Sequence, residues 1–230
     1  MFKTIKVAFV SSFLFISTSA SAVELLTNGG FETGDFTGWT ATDNVGIGIT
    51  ELIPWTVSGP GGGYFGNSSP LSGSFSALNG FDGDAGLTYG LYQDVAIPVA
   101  QTAIFTTNHR IEYDGLGITS SQDRIFEITI RDLANSILST LYTQNVTLNG
   151  APSTDLGWQS NTFDISAFSG QTVRIYLSEF IPEDYTGPAT IEFDDISLDV
   201  TPAAVPVPAP LALLGLGLLG LGFTRRKTSQ

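Results

Sequence analysis

In Arg124-Ile125-Phe126-Glu127-Ile128-Thr129-Ile130-Arg131 apolar and polar side chains alternate strictly from Phe126 onward. A two-residue period puts Phe126, Ile128 and Ile130 on one face of an extended segment and Glu127, Thr129 and Arg131 on the other. A half-buried strand has this pattern. Thr172-Val173-Arg174-Ile175-Tyr176-Leu177 repeats it, with Val173, Ile175 and Leu177 on the apolar side. The segments 45–53, 87–97, 101–113, 137–143 and 191–200 are further strand candidates, separated by Gly, Pro, Asn and Asp clusters. Between Val23 and Pro202 no helical period lasts beyond about two turns. The reading is all-β: about eight to ten strands over roughly 180 residues, in an antiparallel two-sheet β-sandwich.

The chain has 230 residues and no cysteine, so disulfide frameworks, thiolate metal sites and thiol nucleophiles are excluded. Hydrophobic residues make up 42% and charged residues 13%, which separates it from disordered acidic chains. All 22 acidic residues lie between Glu24 and Asp199, with only Arg110, Arg124, Arg131 and Arg174 among them, so the body stands at −18. Such a body repels nucleic acid and anionic lipid surfaces. No nucleic-acid partner is expected.

The other five basic residues flank two apolar runs at the termini. Lys3 and Lys6 precede the apolar stretch 7–16, and Ser19-Ala20-Ser21-Ala22 supplies the small residues signal peptidase accepts. Residues 1–22 read as a cleaved secretory signal, with Val23 as the mature start. At the other end, Pro202, Pro206, Pro208 and Pro210 form a linker over 202–210, ahead of the apolar Leu/Gly run 211–224 and a basic tail over 225–230. A helix from Ala209 to Thr224 is roughly 24 Å long, short of the roughly 30 Å hydrocarbon core. It is a marginal transmembrane span, with Arg225, Arg226 and Lys227 holding its far side in the cytoplasm and the body (23–201) exported.

That order resembles the PEP-CTERM sorting signal, carried here by Val205-Pro206-Val207-Pro208-Ala209-Pro210, the Leu/Gly helix and Arg225-Arg226-Lys227. Val207 stands where Glu is commonest, so the motif is similar to a VPxPA-type variant. The resemblance implies a protein exported across the inner membrane of a Gram-negative bacterium, held there transiently, and cleaved near the Pro motif by an exosortase. It then reaches the cell surface or medium.

Three stretches of the body resemble the galactose-binding-like jelly roll of carbohydrate-binding modules. They are the opening Asn28-Gly29-Gly30-Phe31-Glu32 with Gly38-Trp39, the turn and strand from Phe163 to Tyr176, and the closing Ile191-Glu192-Phe193-Asp194-Asp195-Ile196-Ser197-Leu198. The resemblance implies a jelly roll and polysaccharide as a partner.

Candidate chemistry is sparse. His109 is the single histidine, on an alternating segment with Phe105, Ile111 and Tyr113 on its own side, and reads as a packed core residue. No G-x-S-x-G elbow accompanies it. The acidic pairs Asp82/Asp84, Glu183/Asp184 and Asp194/Asp195 read as solvated loop charge rather than a glycosidase pair, so no enzyme is expected. Aromatics in turn-rich surroundings are the better lead: Trp55 and Tyr64 around the glycine-rich loop 58–63, Trp158, and Tyr185. Stacked sugar rings with nearby amides and acids are the expected use. The alternative is a structural envelope or biofilm protein with no small ligand.

In the closing segment the apolar parity passes from Ile191 and Phe193 to Ile196, Leu198 and Val200, which predicts a β-bulge at Asp194-Asp195. Two adjacent carboxylates there require a cation or hydrogen-bond donors between them. The resembling modules hold calcium where their opening motif meets the last strand, which implies a structural calcium on Glu32 with Asp194 or Asp195.

Overall fold

The computed structural model describes residues 21–43, 55–62, 68–79, 86–119, 122–182, 189–203 and Gly215. Residues 22–203 form one compact unit. The expected signal segment through Ala20, Tyr64, Tyr185 and the motif residues Val205, Pro206, Pro208, Ala209, Arg225, Arg226 and Lys227 lie outside the described residues. Among the described residues no helix is long and apolar enough to cross a membrane.

The unit is all-β. Its strands are β1 (Val23–Glu24), β2 (Thr40–Asp43), β3 (Trp55–Ser58), β4 (Ser76–Asn79), β5 (Leu87–Ala96), β6 (Ala100–Tyr113), β7 (Arg124–Arg131), β8 (Ile137–Val146), β9 (Thr154–Asp164), β10 (Thr172–Ile181) and β11 (Ala189–Pro202). A 3-10 turn, Ser166–Phe168, links β9 to β10. One sheet has the order β3-β4-β11-β6-β9, with β1 also on β11, and the other has the order β2-β5-β10-β7-β8. Every pairing is antiparallel. The expected two-sheet sandwich is the observed architecture.

The apolar parities meet between the sheets. Phe126, Ile128 and Ile130 of β7 and Val173, Ile175 and Leu177 of β10 pack with Phe105, Ile111, Phe193 and Leu198 of the facing sheet, all essentially without solvent contact. Burial of such side chains contributes about 1.5–3 kcal/mol each.

The β11 pairing with β6 shifts register between Asp194 and Ser197, and Asp195 adopts a φ of 46°, so the predicted bulge is present. It locks the two ends of the domain together. The Ile196 amide donates to the Gly29 carbonyl at 3.0 Å. A Cβ on Gly29 would lie 1.8 Å from the Ile196 carbonyl oxygen, so only glycine permits this approach.

His109 faces inward from β6, fully buried against the Tyr142 ring at 4.5 Å and Phe193 at 6.2 Å. Among the described residues neither ring nitrogen has a hydrogen-bond partner. Burial pushes its pKa down to about 4, from 6.5. The folded protein thus resists a proton that the unfolded chain accepts, so stability from this group is complete above pH 6.5 and declines as pH falls toward 4. The decline is about 3 kcal/mol. Asp194, pushed up to about 6 from 3.8 chiefly by burial, contributes the opposite slope, losing stability as pH rises between those values. The His109 part is therefore read as a difference. Denaturant unfolding of the native chain and of His109→Phe should diverge by about 3 kcal/mol between pH 7.5 and pH 4. A pH-independent difference would mean that the imidazole is solvated.

Candidate functional site

The outward faces of β5, β10 and β7 line up by register into rows that cross the second sheet. One row is Asp94, Arg174 and Arg131. The next is Thr40, Tyr92, Tyr176 and Thr129, and the third is Thr42, Gly90, Ser178 and Glu127. Side chains paired across neighbouring strands lie within reach of one another. The result is a cleft of about 590 Å³ with tyrosines along its floor, guanidinium groups at one end and hydroxyls with Glu127 beside them.

Gly90 makes room for the floor. A Cβ there would stand 2.0 Å from the Tyr176 hydroxyl, so the absent side chain is what seats the ring. The Tyr176 hydroxyl also meets the Thr42 hydroxyl at 3.4 Å. The Tyr92 and Tyr176 rings stack with centroids 6.0 Å apart and planes 14° from parallel. The Arg174 guanidinium lies over Tyr92 and that of Arg131 over Tyr176, each 3.7 Å from the ring centroid. Guanidinium groups thus cover one face of each ring, which makes the cleft a hydrogen-bonding lane more than a stacking platform. Arg174 is further held by Asp94 through two bonds of 2.7 and 3.0 Å, which raises its pKa.

The aromatic residues singled out by their turn-rich surroundings lie elsewhere. Trp55 is 1% exposed and packs on Phe193 at 6.0 Å, so the expectation that it meets a sugar is corrected: β3 lies on β4 with its indole turned into the core. Trp158 sits half-buried on β9 in the other sheet, where its indole N–H donates to the Ser69 carbonyl at 2.9 Å and anchors a loop. Tyr92, Tyr176, Arg131 and Arg174 were missed as a group. The legible signal was two tyrosines and half of the body's four arginines at outward parity on alternating strands.

The acidic residues of the opening and closing motifs also converge, on the segment 68–76. Glu32 accepts the Ser74 and Phe75 amides at 2.9 Å, and Asp194 accepts those of Leu71 and Ser72 at 2.8 and 3.0 Å. Asp194 also accepts the Asp195 amide at 2.7 Å, and Asp195 takes the Ser72 hydroxyl at 3.0 Å. Glu192 accepts the Ser69 amide at 2.7 Å and the Arg110 guanidinium at 3.2 Å. Calcium needs six to eight oxygens directed at one centre. Here the oxygens face N–H and O–H donors, and among the described residues no three acidic or imidazole groups are disposed to hold a metal. The arrangement does not fit the calcium expected on Glu32, Asp194 and Asp195. Backbone and hydroxyl donors of 71–75 meet the three carboxylates, and the trio straps the loop to the bulge.

Residues 204–227 match the PEP-CTERM protein-sorting motif. This covers the Pro-rich stretch, the apolar run and the basic cluster, in the expected order. No curated protein matches the chain. Among solved structures it is similar to the K3 cleaved adhesin domain of Lys-gingipain from Porphyromonas gingivalis w83, at 16% identity over 79% of this chain and 99% of that one, TM-score 0.48. It is also similar to TmCBM61, solved with β-1,4-galactotriose, at 17% identity over 76% and 97%, TM-score 0.46. The CBM22-1 xylan-binding domain of Paenibacillus barcinonensis Xyn10C is a further neighbour, at 15% identity over 82% and 100%, TM-score 0.39. These neighbours lend no residue role to this chain.

Proposed function

We propose that this protein is exported, sorted through its PEP-CTERM motif by an exosortase after signal peptidase has removed residues 1–22, and binds extracellular polysaccharide without cleaving it. The binding site is the cleft across β5, β10 and β7. The observation that carries this reading is the cleft itself, a preformed concavity of about 590 Å³ in which apolar ring surface adjoins Arg131, Glu127, Ser178 and Thr42. Concave sites that hold small polar ligands combine apolar walls with a few fixed polar groups in this way. A sugar presents alternating hydroxyl and C–H surface, which suits a lane of hydroxyls, a carboxylate and guanidinium groups. Hydrolysis of a glycosidic bond requires two facing carboxylates. Glu127 is the one carboxylate among the residues that line the cleft, which supports a non-catalytic role.

Affinity electrophoresis of the full chain through gels containing neutral and acidic polysaccharides tests the proposal. Glu127→Gln keeps the shape of the cleft while removing a charged acceptor, and hydrogen bonds to charged groups contribute about 1.5–3 kcal/mol. Retention on the bound polymer should therefore weaken about tenfold or more with the melting temperature little changed. Tyr92→Ala should weaken it as well. Free migration of the native chain in every gel would overturn the proposal in favour of a structural protein without a glycan ligand, as would equal retention by both variants.

A further inference from the structure

Four arginines serve a body with 22 carboxylates, and three of them are ion-paired. Arg110 contacts Glu112, Asp155 and Glu192, Arg124 contacts Glu179, and Arg174 contacts Asp94. Arg131 differs from all of them. Its Nε donates to the Thr129 hydroxyl at 2.9 Å and its plane lies on Tyr176, yet among the described residues it forms no ion pair. The nearest acid along the chain, Asp132, is turned onto the Ser136 amide at 2.8 Å. Burial lowers the pKa of Arg131, only partly offset by Tyr176 and the more distant Glu127, the opposite of the net shift at the paired Arg110 and Arg174.

A half-buried guanidinium with no carboxylate in ion-pair contact among the described residues has lost part of its hydration, and the more distant Glu127 compensates for it only in part. Tyr176 fixes its plane, so the fork of N–H donors is held at the edge of the cleft rather than free in solvent. Building on the reading of the cleft as a glycan site, we infer that Arg131 is a specificity-determining residue for acidic sugars, pairing with the carboxylate of a uronate in the bound polysaccharide. A planar carboxylate matches the guanidinium fork with two parallel bonds. Glu127 lies two rows away in the same cleft, where it repels a second carboxylate and accepts hydroxyls. The two residues together orient the sugar: its acid toward Arg131, its hydroxyls toward Glu127. The negative field of the rest of the body is screened over about 8 Å at physiological ionic strength, so the local charge at Arg131 decides the contact.

The probes are polygalacturonate, the same polymer with its carboxyl groups reduced to alcohols, and dextran sulfate, each in affinity gels run with the full chain. Polygalacturonate should retain the native chain at least tenfold more strongly than its reduced form does. Arg131→Met should erase that preference, so that the variant is retained equally on polygalacturonate and on its reduced form, and a preference that survives in Arg131→Met overturns the inference. Arg131→Lys, which keeps the charge but not the fork, should restore only part of it, and the melting temperatures of both variants report folding. Equal retention on the acidic and reduced polymers overturns the inference and leaves the glycan-binding reading in place. Stronger retention on dextran sulfate than on polygalacturonate also overturns it, in favour of a general anion site. No retention on any polymer overturns both.

Discussion

Trp55→Ala should unfold far more easily than the native chain, by about 3–5 kcal/mol, the range for truncating a large buried aromatic. The indole is essentially without solvent contact, lies against Phe193 and belongs to the main core. Its removal leaves a cavity beside Phe193 that the close-packed core around it cannot fill without shifting. Among the described residues its N–H has no hydrogen-bond partner, so Trp55→Phe removes an unsatisfied donor along with volume and should cost much less than alanine. Retention on polysaccharide gels should be unchanged in Trp55→Phe, because the cleft lies on the outer face of the other sheet. A thermal or urea melt that leaves Trp55→Ala as stable as the native chain would mean that the ring is not core.

A comparable loss is expected from Arg124→Met. Arg124 donates to Glu179 and to the Ala189 carbonyl, both at 3.1 Å, and neither side chain of the pair has any solvent exposure. Both sit at inward positions, Arg124 on β7 and Glu179 on β10, where neighbouring residues of the same parity are Phe126 and Leu177. Removing one partner strands the other charge in the interior, at a cost of about 3–5 kcal/mol. Replacing both, as in Arg124→Met with Glu179→Leu, should recover most of that loss, since a buried pair commonly contributes no more than apolar side chains of similar volume. Urea unfolding of the two single variants and the double variant measures the coupling. Additive losses would show that the two groups do not act as a pair.

Neither of these residues was legible in the role it plays, and the reasons differ. Trp55 stands beside a glycine-rich loop, which reads as surface. Whether a turn-flanked ring points in or out depends on which strand lies beside it, and β3 pairs with β4, a neighbour about twenty residues away. Arg124 and Glu179 interrupt apolar parities at single positions, and a charge at such a position reads as a strand end. Only the meeting of the two, 55 residues apart in sequence, makes them a pair.

Other features needed no tertiary information. The alternation in 124–131 and 172–177 is enough to set the strands and their inner faces, because a two-residue period leaves one side apolar and water then selects that side for burial. The inward His109 follows from the same parity. The parity change at Asp194-Asp195 is enough to place the bulge, since no regular strand can turn Phe193 and Ile196 to the same face. The sorting motif is read from order alone: a Pro-rich stretch, an apolar run, a basic end. The cleft is a different kind of object. Tyr92, Arg131 and Tyr176 come from three strands, and the carboxylates that strap 68–76 come from the opening loop and the last strand. Which of them become neighbours is decided by strand order and register, set by the packing of whole sheets rather than by any local pattern.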